Sequence, residues 1–140
     1  MSRRNPRYAL TDTAQQVVGG FLLAGPFVVT EEVWTLAGNM GLSHVALTVA
    51  IVFAIGYGAL YKADDDRDPD REAEVAGVPV RFVSLMLVSY GSVFVLAVAL
   101  TAPTTFLSGP FETVAATTMR AVSVGAIFSV VGAATADSVF

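Results

Sequence analysis

Three charged residues stand inside long apolar stretches, and their types are the ones that could do chemistry: Glu31, Glu32 and Arg120. A carboxylate near the middle of a bilayer costs about 2.5–3.5 kcal/mol on insertion scales, so its presence points to a partner, a proton or an ion. Two acids against one guanidinium leave one carboxylate formally unpaired. Such a group relieves its desolvation cost by raising its pKa or by binding a cation. Glu31 and Glu32 therefore read as ion-pathway or pairing residues, with Arg120 the partner of one of them. Adjacent helical residues point about 100° apart, so the two acids cannot share that partner equally. Thr30 and Trp34 flank the acids. Thr113, Thr117 and Ser123 share the Arg120 face at i−7, i−3 and i+3, where hydroxyls serve a guanidinium or a wet cavity. Pro26, one turn before the acids, removes a backbone donor and predicts a helix kink.

Other chemistries find no residues to carry them. The chain has no cysteine, which excludes disulfides and thiolate sites, and one histidine, His44, which excludes a multi-histidine metal site within one subunit. His44 reads as a solvated, cap-like residue at the outer mouth of the second helix. The alternating Asp64, Asp66, Asp68 and Asp70 invite comparison with a calcium loop. Counted from Asp64, however, the sixth and twelfth positions hold Pro69 and Val75, where an EF-hand needs glycine and glutamate. No nucleophile–base pair, phosphate loop or dinucleotide fingerprint occurs, so neither an enzyme nor a cofactor is expected. A net charge of −4 without a basic patch gives no reason to expect nucleic acid.

The elements that must position the charged residues follow from composition. Of 140 residues 54% are apolar and 14% charged, against about a quarter charged in soluble domains. The charges are also segregated: none lies between residues 82 and 111, and between 15 and 61 only Glu31 and Glu32 do. Such stretches suit a bilayer, where a helix satisfies its own backbone. The pattern predicts one all-α domain over residues 1–140, a polytopic membrane protein of four transmembrane helices in two hairpins. The helices are expected at about residues 15–36, 43–61, 82–102 and 112–136, with an acidic loop at 62–81. Helix 1 is carried through the glutamates because roughly 20 residues are needed to cross the hydrocarbon.

Arg3, Arg4, Arg7, Lys62, Arg67, Arg71 and Arg81 all fall on one side of this arrangement and none on the other. That asymmetry predicts cytoplasmic termini and a multi-pass protein of the cell (plasma) membrane. Without a small-x-small cleavage site beyond the first apolar segment, that segment reads as a retained helix rather than a signal peptide. Trp34, Phe106 and Phe111 are expected at the outer interface. Ladders of small residues, Ala46, Ala50, Ala54 and Gly58 in helix 2 and Ala121, Gly125, Ser129 and Ala133 in helix 4, predict two faces of close helix contact.

Gly19, Gly20 and Phe21, then Pro26 and Phe27, then Thr30, Glu31, Glu32, Val33 and Trp34 form the most specific stretch of the chain. It resembles a family of integral membrane proteins known as a domain of unknown function (2391), found in halophilic archaea and cyanobacteria. The resemblance implies fold and location, and lends no activity. Four short helices are too few to wrap an aqueous pore alone. The glutamates therefore predict an oligomeric cation or proton channel or transporter, with lipid, a second copy and a cation as partners. The competing expectation is a non-transporting membrane scaffold or assembly protein in which the Glu and Arg residues form a structural ion pair.

Overall fold

The computed structural model describes residues 10–62, 74–75 and 77–139; most of the acidic loop, with its four alternating aspartates, lies outside the described residues. The helices are α1 (Leu10–Val28), α2 (Glu31–Gly38), α3 (Leu42–Tyr57), α4 (Val80–Ala99), α5 (Ala102–Phe106) and α6 (Phe111–Val139). A π-helical turn, Gly58–Lys62, prolongs α3. A two-residue hairpin, β1 (Glu74–Val75) with β2 (Val78–Pro79), turns at Gly77 with φ +83° and leads directly into α4.

The chain is an all-α polytopic membrane protein. Leu42–Tyr61, Val80–Ala99 and Phe111–Ser138 are each long and apolar enough to cross a bilayer, and α1 with α2, bent by 79° at the break between them, has the length and composition of either a broken fourth span or a re-entrant loop. The bend corrects the expected continuous helix over residues 15–36. At 19 residues, α1 is about 28 Å long, close to the hydrocarbon thickness by itself. It reaches that length by starting at Leu10, five residues earlier than expected. Its first turns are polar, however, with Asp12, Gln15 and Gln16, and only together with α2 does it have the length and apolar composition of a span.

The core is the trio α1, α4 and α6, against which α2 and α3 are laid chiefly through α6. At the crossing of α1 and α6, Gly19 and Gly132 face each other so closely that a Cβ on Gly19 would collide with the Gly132 carbonyl oxygen. One rung away, the Ser129 hydroxyl donates to the Gly20 carbonyl at 3.1 Å. Such proximity lets dispersion and hydrogen bonding hold helices that hydrophobic burial cannot drive together in lipid. Ala121, Gly125, Ser129 and Ala133 are all buried, as their ladder predicts. The ladder of helix 2 behaves differently: Ala46, Ala50 and Ala54 are exposed, and Gly58 would accept a Cβ with nothing within 4 Å. The face of α3 that packs carries Thr48, Val52 and Gly56 instead. Rung spacing does not say which helix face meets a neighbour.

Candidate functional site

The elbow between α1 and α2 is built by side chains that replace missing helical donors. Pro26 lies inside α1, and the break comes at Val29 and Thr30, where Thr30 is extended at φ −102°, ψ 118°. There the Pro26 and Val28 carbonyls lose their regular partners. The Thr30 hydroxyl donates to Pro26 O at 2.6 Å, and the indole Nε1 of Trp34 donates to Val28 O at 2.9 Å. Both carbonyls thus keep a donor at the break, the one from Trp34 being buried, as a membrane protein requires. Trp34 is only 2% exposed and stacks on Phe106 with ring centroids 6.0 Å apart. It is therefore the pin of the elbow rather than an interfacial anchor.

The bend decides where the acids point. Val33, Trp34 and Ala37 form the buried face of α2, so Glu31 and Glu32 in its first turn are exposed. Carboxylates there are favourably placed against the positive end of the helix dipole. With Thr35 and Leu36 they line an open groove of about 460 Å³. Behind the elbow, the space between Phe27, Trp34, Val93 and Val122 is too narrow for a water molecule. Arg120 is half-buried and Thr117 buried on α6, yet among the described residues no ion pair joins Arg120 to Glu31 or Glu32. Of the expected site residues, the structure brings Pro26 and Thr30 into contact. The expected Glu–Arg120 pair is not formed, because the 79° bend swings the first turn of α2 outward.

The buried charges lie at the opposite end of the bundle. Arg81, which reads in the sequence as a loop-side basic residue, is 2% exposed. Its Nη1 donates to Asp137 Oδ1 at 2.8 Å and its Nη2 to Asp12 Oδ2 at 3.3 Å. Gln16 Nε2 donates to Asp137 Oδ2 at 3.2 Å and to the Arg81 carbonyl at 3.4 Å, and Ser84 Oγ donates to Gln16 Oε1 at 2.7 Å. All five side chains have further partners besides these. The network ties the start of α1 and the start of α4 to the end of α6. A sequence signal did exist: Arg81 borders the charge-free stretch, and Asp137 is the only acid in the chain after Glu112. Nothing in spacing, however, couples residues 56 positions apart.

A third polar group lies midway. Thr48 of α3 and Ser123 of α6 share a hydrogen bond of 2.6 Å, and the buried hydroxyl of Tyr90 on α4 interacts with Ser123.

Compared with known proteins, residues 2–139 match the model of a family described as "Putative integral membrane protein (DUF2391)". The chain belongs to this family. The match covers the elbow, the buried charge network and all the apolar helices, so membrane embedding applies to the whole bundle, with the lipid bilayer as its surroundings. It also agrees with the resemblance carried by Pro26, Phe27 and the residues from Thr30 to Trp34. No curated protein and no solved structure matches the chain.

Proposed function

We propose that this DUF2391 protein is a homo-oligomeric channel or transporter for cations or protons in the cell (plasma) membrane, with Glu31 and Glu32 forming its acidic entrance. One observation carries the reading. The α1–α2 pair is broken by 79° at one end of the bundle, and the break turns two carboxylates out of the packed core into an open groove. A purely structural pair of acids would be expected to face Arg120. Discontinuous membrane helices are a recurrent means of forming ion sites, and rings of acidic side chains select cations. A single subunit supplies two carboxylates; a ring needs copies around an axis, which makes the oligomer part of the proposal. The glutamates then act as an entrance at the membrane surface, not as residues embedded in helix 1. The reading assigns no enzymatic step.

The test is flux from vesicles reconstituted with the purified protein. Wild-type vesicles should exceed empty ones, and the E31Q/E32Q double variant should lose most of the excess while remaining folded. Wild-type flux equal to that of empty vesicles would end the proposal.

A second reading has its own support. The Arg81–Asp137 pair is fully enclosed and clamps three helix ends, which suits a static scaffold or assembly protein. In that reading the structural ion pair is Arg81 with Asp137, and Glu31, Glu32 and Arg120 have no part in it.

A further inference from the structure

The hydroxyl of Tyr90 is the one buried side-chain polar atom without a hydrogen-bond partner among the described residues. Tyr90 stands at the middle of α4, which runs from Val80 to Ala99, so this polar atom is held at the centre of a span. An unsatisfied hydroxyl in such a place destabilises the fold, and each such group calls for an explanation. Around it, three helices converge: α4 brings Tyr90, α6 brings Ser123 and α3 brings Thr48.

The donors in this group can be assigned by counting protons. A threonine hydroxyl has one proton, and that of Thr48 goes to the Val45 carbonyl at 2.7 Å. In the 2.6 Å contact between Thr48 and Ser123, Ser123 must then be the donor. Its single proton is used, and its remaining lone pair can only accept. Tyr90 interacts with Ser123, yet its hydroxyl makes no hydrogen bond of regular geometry. A buried donor thus stands beside an acceptor whose own proton is already used.

We infer that Tyr90, Ser123 and Thr48 form a mid-membrane site for one water molecule, which bridges Tyr90 to Ser123 and makes the site a station for protons. A water needs two to four polar partners, and these hydroxyls supply them. The chemistry of the lining selects the species. Hydroxyls alone offer a divalent cation no carboxylate to balance its charge, and three of them fall short of the rings of oxygens that replace the hydration shell of a monovalent one. A chain of hydroxyls and water, in contrast, can pass a proton by reorientation. The inference rests on the permeation reading above for its functional part, and narrows the transported species to protons. Its structural part, the occupied water site, stands apart from that reading.

The experiment uses full-length protein and reads two quantities. In detergent, thermal unfolding of Y90F, S123A and the double variant forms a double-mutant cycle. With water in place, Y90F lowers the midpoint by several degrees, and the second substitution adds less than it does alone. A midpoint raised by Y90F would mean that the hydroxyl was an unsatisfied burden and that no water is held there. In vesicles, proton entry and potassium entry are followed separately with wild type, Y90F and E31Q/E32Q. The inference expects proton flux that falls at least tenfold in Y90F. Potassium flux that Y90F leaves unchanged, with no proton flux, would overturn the proton assignment while leaving the acidic entrance standing. Absence of any wild-type flux would overturn the entrance and the proton assignment together, and the unfolding cycle would then decide the water site by itself.

Discussion

Arg81 and Asp137, 56 positions apart in the chain, meet at 2.8 Å with both side chains essentially sealed from solvent. The pair joins the first turn of α4 to the last turns of α6, and Asp12 and Gln16 extend it to α1. Arginine suits the position because its planar fork reaches two carboxylates at once.

Removing Asp137 takes the 2.8 Å carboxylate contact from the buried Arg81 guanidinium and leaves Asp12 beside it at 3.3 Å. Asp137→Ala is expected to destabilise the protein by up to about 3–5 kcal/mol. Replacing both residues with apolar ones of similar volume, Arg81→Met with Asp137→Leu, should recover much of that loss. Chemical unfolding in detergent measures both, and equal losses in the single and double variants would deny that the pair is the cause.

The α1–α6 crossing predicts a contrast between glycines. Gly19→Ala places a methyl against the Gly132 carbonyl and Gly125→Leu places bulk against Val93, so both should lower stability, by about 1–3 kcal/mol or more. Gly58 and Gly91 have nothing within 4 Å of a new Cβ. Alanine there should be neutral or stabilising by up to about 1 kcal/mol, since glycine disfavours helix interiors.

The exposed ladder of α3 separates a lone subunit from an assembly. In an isolated subunit Ala50→Leu faces outward and should leave the thermal midpoint unchanged, while Val52→Leu, at a fully buried position, should lower it. A shift in oligomer size on light scattering with Ala50→Leu, at unchanged helicity, would locate the contact between copies on that face.

Trp34 is the only tryptophan in the chain and therefore reports directly on the elbow. Its burial and its bond to Val28 O predict a blue-shifted emission that is weakly quenched by acrylamide. Thr30→Val removes the donor to Pro26 O, a bond on the exposed side of the elbow, and should loosen the turn. Emission should then shift to the red before global unfolding. Coincident transitions in fluorescence and circular dichroism would argue against a separately fastened elbow.

Orientation is tested by labelling. From the basic asymmetry, a cysteine at Asn39 should react with an impermeant reagent on intact cells, and one at Asp66 should not. The reverse pattern would invert the outside and inside of every site described above.

Composition and charge spacing were enough to establish an all-α membrane protein, because a bilayer admits long uncharged stretches only as self-satisfied helices and leaves a plain record of them in the sequence. The α6 ladder was legible for a similar reason, since small residues at i, i+4 spacing permit close approach wherever a neighbour exists. Which neighbour exists is decided in three dimensions. Ala46, Ala50 and Ala54 have the same spacing as the α6 ladder and face outward. Glu31 and Glu32 looked embedded because a proline bends a helix without saying how far, and the extended Thr30 with the Trp34 pin set a 79° turn that exposes them. Arg81 looked like a loop charge until folding carried Asp12, Gln16 and Asp137 to it. Spacing within one helix is a local property, readable from the chain. Partners between helices depend on how each helix is rotated and where it ends, and those are fixed only when all the helices pack at once.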